Sequence, residues 1–325
     1  MHKVALIGAG RIGRIHARNA ALHPRIELAG VVDAIDASAQ ALAAEWNSRV
    51  LTLDAALADP SIHGVIIASS TDTHLDYSLR AAAAGKAIFC EKPIDQDLQR
   101  ARSASAKLSG ANLLLAFNRR FDPNFQALKA RLDSGSIGGI ESLQITSNDP
   151  APPPPSYVAV SGGLFKDMAI HDFDMARWLL GEEPVQVYAT GSCLVDPEIG
   201  KLGDVDTART VLKTASGKLC VISNTRRSGY GYDQRIEAFA SAGMVRADNV
   251  LESTTQVWSE NGIACDRLQN FFLDRYAEAY RREMDHFADM LDGTRAAVGY
   301  ADGVAALALA EAAAESVKTG APVKL

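Results

Sequence analysis

Cysteine is scarce in this chain and scattered. Cys90, Cys193, Cys220 and Cys265 stand far apart with no Cys-x-x-Cys pair, so the expectation is free, mostly buried thiols in a reducing compartment. Basic residues do not outnumber acidic ones, and the net charge of −6 argues against nucleic acid or an anionic membrane as partner. No apolar run approaches the length that spans a bilayer. The opening "HKVALIGAG" offers neither a charged leader nor a cleavage site, and a cytoplasmic protein is expected. Internal repeats and disorder-prone composition are missing as well. Small molecules are the expected clients.

What is present is an ample supply of core-forming residues, 47% hydrophobic against 22% charged over 325 residues. A chain of that length exceeds what one core usually organises, so two domains are expected. The first third alternates short apolar runs with amphipathic stretches: "KVALIG", "RIGRIHARNAAL", "IELAGVVD", "ASAQALAAEWN", "GVIIASS", "HLDYSLRAAAAG" and "KAIFCEKP". Strands separated by helices in this rhythm predict right-handed βαβ units and a doubly wound parallel sheet. After Asn118 the texture changes. "DPAPPPPSYV" cannot hold a regular element through its prolines, and the runs "PVQVYATGSCLV", "TARTVLKTASG", "KLCVISNTRRS" and "RIEAFASAG" have strand composition without intervening helices. They predict hairpins in a large, mostly antiparallel sheet, followed by two closing helices. The expected fold class is therefore α/β, a parallel-sheet domain over residues 1–120 and an α+β domain over 121–325.

Gly8, Gly10 and Gly13 form a Gly-x-Gly-x-x-Gly turn directly after the first strand and at the head of a helix, and Asp33 ends the next apolar run. This ordered context raises a common spacing to a specific one: Gly8 for the tight turn, Gly10 for close approach of a pyrophosphate, Gly13 for packing of helix on strand. The phosphates would rest on the helix N-terminus beside Arg11 and Ile12. Asp33 is placed to accept from the adenosine ribose hydroxyls and to repel a 2′-phosphate, so NAD is expected over NADP. Lys92, in "AIFCEKP", follows a later strand, where ligands of open α/β sheets collect. Asp167 and His171, in "FKDMAIHDFDMARWLL", are spaced to share one face of a helix.

These features together resemble the glucose-fructose oxidoreductase and inositol dehydrogenase family. The resemblance is carried by GAGRIG, by the Glu-Lys-Pro of residues 91–93, by "AFNRRFDPNF" and by "GGLFKDMAIHDFDMARWLLG". It spans almost the whole chain, and within the family the chain is most similar to inositol 2-dehydrogenases. The resemblance implies an N-terminal Rossmann domain, NAD as cofactor, and oxidation of a secondary hydroxyl of a cyclic polyol such as myo- or scyllo-inositol. It makes His171 the general base, a role suited to a group titrating near neutral pH, with Lys92 and Asp167 beside it. It also places Ser69, Ser70, Thr71, His74 and Glu91 at the cofactor, and Asn118, Arg119, Ser147, Asp149 and Tyr232 at the substrate.

Alternatives stand beside these assignments. Asp172 and Asp174 with His171 form a carboxylate-rich set, yet a nearby Lys opposes a cation and no second His has ligand spacing; no metal is expected, and the two aspartates are expected to cap, pair or face solvent. Arg119 or Arg120 is a candidate partner for Asp122. Asn148 stands where many inositol dehydrogenases carry Arg, a change that removes a charge and a planar set of donors. A related pyranose sugar is therefore an alternative substrate; the family resemblance also admits an NAD-dependent glycosidase activity, and it implies a homo-oligomer, dimer or tetramer.

Overall fold

The computed structural model describes residues 1–325, divided into two compact units: Met1–Phe121 with Ala279–Leu307, and Asp122–Glu278 with Ala308–Leu325. The first begins β1 (His2–Ile7), α1 (Arg11–Leu22), β2 (Ile26–Val32), α2 (Asp36–Glu45), β3 (Arg49–Val50), α3 (Leu53–Ala58), β4 (Ile62–Ile67), α4 (Thr71–Ala83), β5 (Ala87–Cys90), α5 (Leu98–Leu108) and β6 (Leu113–Leu115). All six strands are parallel, in the order β3-β2-β1-β4-β5-β6. This is the doubly wound order, with the switch point between β1 and β4. Residues on both faces of β1 and β4 are buried, as a sheet covered by helices on both sides requires.

Register aligns the strand ends that matter. Ile7 pairs with Val32 and Ile67, Ile67 with Cys90, and Cys90 with Leu115. The segments that start at Gly8, Asp33, Ala68, Glu91 and Ala116 therefore all leave one edge of the sheet, the carboxyl edge.

The second unit contains α6 (Pro123–Asp133), β7 (Ile140–Asn148), α7 (Pro155–Ser161), α8 (Ile170–Leu180), β8 (Pro184–Ser192), α9 (Pro197–Lys201), β9 (Thr207–Thr214), β10 (Leu219–Thr225), β11 (Asp233–Ala240), β12 (Gly243–Ala247), the hairpin β13 (Gln256–Ser259) and β14 (Gly262–Cys265), and α10 (Phe272–Arg275). The chain continues through α11 (Ala277–Leu291), α12 (Tyr300–Thr319) and β15 (Val323–Lys324). Its seven-stranded sheet runs β12-β11-β7-β10-β9-β8-β15. Every pairing is antiparallel except β7 with β10, so the expected mostly antiparallel sheet is found, with one parallel pair that hairpin signals do not reveal. Alternation is clean along β9 and β10: Ala208, Thr210, Leu212, Cys220, Ile222 and Asn224 point inward. The opposite face keeps Tyr188, Val211, Leu219, Val221, Phe239 and Met244 exposed.

A division by sequence at residues 120 and 121 assigns everything beyond it to one domain, whereas Ala279–Leu307 counts with the first unit. The reason is visible in the packing: Phe287 stacks edge-on against Phe89 of β5 at 5.7 Å, and the Tyr300 hydroxyl donates to the Ala101 carbonyl of α5. Side chains of that returning segment complete a core begun some two hundred residues earlier. The cysteines are free, with Cys90 and Cys220 buried, Cys193 half-buried and Cys265 exposed; burial pushes the Cys90 thiol up to about 12. No helix is long and apolar enough to cross a membrane.

Candidate active site

The glycine turn is built by exclusion of side chains. Gly8 has a φ of +103°, and a Cβ there would lie 2.4 Å from the Ala68 carbonyl oxygen beyond β4. At Gly13 a Cβ would lie 1.9 Å from the Gly8 oxygen. Gly10 differs, because nothing lies within 4 Å of a Cβ added there. Open space therefore faces the start of α1, whose N-cap is Gly10 itself with no capping side chain and no acidic residue in the first turn. Unsatisfied N–H groups and the positive end of the helix dipole are thus left to a ligand anion. Arg11 is exposed and Ile12 half-buried at this point. Asp33 accepts from the backbone N–H of Ala9 at 2.6 Å through Oδ2 and from Ile35 at 2.8 Å through Oδ1. It clamps the turn to the end of β2, and each oxygen keeps a second acceptor site. These residues fit a dinucleotide.

Further along the same edge, Ser69 shares a 2.6 Å hydrogen bond with Thr73, Ser70 stands at the N-cap position of α4 without a side-chain capping bond, and Thr71 begins that helix. His74 is buried, with Nδ1 2.7 Å from the Pro93 carbonyl and Nε2 3.2 Å from the Ser69 carbonyl. It ties the loop after β4 to the loop after β5, where Lys92 precedes a cis peptide to Pro93. Glu91 accepts from the Lys92 backbone N–H at 3.3 Å through Oε2, and its Oε1 lies 2.7 Å from Nε2 of the buried His16 on α1. The helix that starts at the glycine turn is thereby bonded to the segment that carries Lys92. Asn118 and Arg119 are buried in the single 3₁₀ turn after β6, and the Asn118 Oδ1 has no hydrogen-bond partner.

In the second unit, the parallel register of β7 with β10 brings Ser147 opposite Asn224 and Asn148 opposite Thr225. The carboxyl ends of both strands and the start of β11 thus share one edge. Asp167 does not lie on a regular α-helix as the spacing suggested. It sits in a π-helical turn, Phe165–Ala169, that feeds into α8, while His171 is the second residue of α8. Such turns hold an extra residue and recur at functional sites. The turn is entered through Gly162 and Gly163, both at positive φ, and the Leu164 N–H donates to Asp204 at 3.0 Å.

Around Asp167 several elements converge. The Tyr157 hydroxyl donates to Oδ1 at 2.9 Å, and both amino groups of Arg226, just past β10, reach Oδ2 at 3.3 Å. Asp149, after β7, lies 3.8 Å from Arg226. Asp172 and Asp174 do not face solvent: both are fully buried, Asp172 accepting from the Asn224 amide at 2.8 Å and Asp174 lying 3.7 Å from Arg177. Asp172 thereby anchors α8 to β10, while the Asp174 pair lies within α8. Ser147 is buried and exchanges hydrogen bonds with Gln234, and Tyr232 is buried edge-on against Tyr276. The Asn148 amide donates to Asp233 at 3.3 Å. Burial works to raise the Asp233 carboxyl, yet bonds from Arg235, Asn249 and Tyr230 hold it below the usual range. Asp122 takes neither Arg119 nor Arg120 as its carboxylate partner; it is paired with Arg275 in the interior, while Arg120 pairs with Asp302 at 2.9 Å. Sequence reading missed Arg226 and Tyr157, whose signal is no more than an "RR" after a strand and one aromatic in a proline-rich loop.

A nucleotide-type turn, a lysine on its sheet edge, and a second unit offering an aspartate, a histidine and clustered polar groups define a dinucleotide-dependent oxidoreductase. A profile described as the oxidoreductase family, NAD-binding Rossmann fold, matches residues 2–118, and that of the GFO/IDH/MocA C-terminal domain matches residues 125–246. The chain belongs to the GFO/IDH/MocA family. It is 48% identical to an inositol 2-dehydrogenase of Rhizobium meliloti, over 97% of this chain and 96% of the relative. A crystal structure of a myo-inositol dehydrogenase from Corynebacterium glutamicum superposes with a TM-score of 0.96 at 43% identity, covering 100% and 99% of the two chains. One of a Lactobacillus casei scyllo-inositol dehydrogenase with bound NAD(H) and scyllo-inositol gives 0.90 at 28%, covering 100% and 99%.

Proposed function

We propose that this protein oxidises one secondary hydroxyl of an inositol to the ketone, with NAD as hydride acceptor. The observation that carries this reading is that one chain holds an open, uncapped glycine turn in its first unit and a carboxylate-centred polar cluster, Asp167 with Tyr157 and Arg226, in its second, and is similar over nearly its full length to inositol dehydrogenases. When bound, the nicotinamide accepts the hydride that leaves the carbinol carbon. His171 takes the hydroxyl proton as the C=O bond forms, so that the substrate loses one hydride and one proton in total. Lys92 donates to the reacting oxygen and stabilises the charge that develops there. Asp167 orients the group it faces, and Asp149, Asn118 and Arg119 supply hydrogen bonds to the remaining hydroxyls. A ring of equivalent hydroxyls is discriminated by such bonds, since one buried partner left unmet costs about 1–3 kcal/mol. Gly8, Gly10, Arg11, Ile12 and Gly13 hold the pyrophosphate, Asp33 the ribose, and Ser69, Ser70, Thr71, His74 and Glu91 line the nicotinamide side.

The exposed apolar face of the seven-stranded sheet, with Tyr188, Val211, Val221 and Phe239, supports self-association into a dimer or tetramer, which light scattering on the purified protein would read. A cytoplasmic location agrees with free thiols and with NAD supply. NADH absorbance with a panel of inositols and aldopyranoses, with NAD or NADP and a His171→Ala control, tests the activity. Turnover of an inositol that is lost in the variant is expected. NAD binding without turnover of any free polyol would overturn the reading.

A further inference from the structure

Arg226 is a guanidinium only 2% exposed, which is an expensive group to bury without a task. Its partners are arranged unevenly. Both amino groups point at one oxygen of Asp167, each at 3.3 Å, and Nη1 is 3.8 Å from Asp149. The two carboxylates are more open than the cation behind them, at 14% for Asp167 and 25% for Asp149. The gradient shields the cation and leaves an open side on each carboxylate. Such an arrangement suits a support that presents two carboxylates to a ligand. The backbone is fixed to match: the Arg226 N–H donates to the Asp206 carbonyl at 2.8 Å, and the Asp149 N–H donates to Thr225 at 2.9 Å. Asp206 is itself buried and fastened by the backbone N–H groups of Leu194, Val195 and Asp196. The other oxygen of Asp167 is held by Tyr157.

We propose that Arg226 is a positioning residue of the substrate site: it locks Asp167 in one orientation as a hydrogen-bond acceptor and holds Asp149 beside it. The substrate proton is left to His171, because the Arg226 guanidinium against Asp167 favours the ionised, accepting form of that carboxylate over one that holds a proton. This inference rests on the reading of Asp167 and His171 as working groups. An Arg supplies what a Lys does not, a planar fork that fixes direction as well as charge.

The test uses the full-length enzyme with NAD and the inositol that the wild type turns over best. It compares wild type, Arg226→Lys, Arg226→Gln, Asp167→Asn and the double variant R226Q/D167N, with NAD affinity measured separately. The expected result is a fall in kcat of about a hundredfold for R226Q, the scale of one lost electrostatic support, with KM moved by far less and NAD affinity unchanged. R226K should recover part of the loss. The double variant should be no slower than D167N alone, because a residue acting through another shows no added effect; a merely structural role would multiply the losses. The inference is overturned if R226Q, or R226K where R226Q does not fold, keeps wild-type kcat, or if the two losses multiply. A wild type inactive on every polyol would instead overturn the underlying functional reading, and this inference with it.

Discussion

The two units build their sites by opposite means. In the first, the decisive groups are backbone atoms: Gly8 and Gly13 work because a Cβ would strike a carbonyl, and Gly10 because space is left open above it. In the second, the site is an assembly of long side chains from distant segments, with Asp167, Arg226, Asp149 and Tyr157 drawn from four separate stretches. Backbone devices are local, and they tolerate no side-chain change at their few fixed positions. Side-chain assemblies are distributed, and their strength depends on every charge in them keeping its partner.

The hardest test of the second half lies outside its proposed catalytic groups. Asp122 caps α6, accepting from the N–H groups of Asn124 and Phe125 at 3.0 and 3.1 Å, and pairs with Arg275, both side chains being 2% exposed. Arg275→Ala would strand a buried carboxylate, so a loss of about 3–5 kcal/mol is expected, read as a lower urea midpoint. An unchanged midpoint would show that the second unit does not depend on its charge pairs.

A side chain in the first unit offers a contrast, because Glu283 on α11 is fully buried and neither carboxyl oxygen has a hydrogen-bond partner. Burial, and then the charge of Glu91, push its carboxyl well above the usual range. A folded pKa above the unfolded one means that the native state binds the extra proton. That contribution is complete below the unfolded value of about 4.3 and is lost as pH rises toward the folded value, at up to about 1.4 kcal/mol per pH unit. Other groups near it are Glu91, His16, which is bonded to Glu91, and Tyr280, whose ring lies 5.8 Å from His16. Glu283→Gln keeps the shape and removes the titration. Its stability relative to wild type should therefore climb as pH rises above the unfolded value of about 4.3; parallel stability curves would count against a neutral, buried Glu283.

For the backbone half the matching change is Gly13→Ala. The added Cβ would sit 1.9 Å from the Gly8 oxygen, so α1 must move off β1. Overpacking of this kind costs about 1–3 kcal/mol, and NAD affinity should fall by at least about tenfold, measured by titration calorimetry. Intact affinity would mean that the turn is more pliant than its geometry implies.

This contrast also explains what could be read in advance. The glycine turn, Asp33 and the strand-helix rhythm were legible because each is local in sequence, and the doubly wound parallel class followed from that rhythm. The mostly antiparallel second sheet was legible from punctuation and composition. The parallel pairing of β7 with β10 was not, since strands separated by some seventy residues leave no local mark. Neither was the return of Ala279–Leu307 to the first unit. In the site, Asp167 and His171 drew notice through their spacing, but the π turn beneath them depends on Gly162, Gly163 and the distant Asp204. Arg226 acquires meaning only once Asp167 stands in front of it.

Asp33 is where the two modes of construction overlap, and it gives the smallest and most discriminating effect. Its carboxylate belongs to the backbone device, since it holds the Ala9 N–H of the glycine turn, and it also carries the one negative charge that cofactor choice would sense at the end of β2. Asp33→Asn keeps an oxygen that accepts and removes the charge. If the charge sets the choice, the preference for NAD over NADP should narrow by about tenfold, equivalent to about 1.4 kcal/mol, with the unfolding midpoint little changed. If the clamp on Ala9 is the larger function, affinity for both cofactors should drop together and their ratio should stay put. Comparing the two dissociation constants for this variant thus separates a side chain acting on the ligand from one acting through the turn.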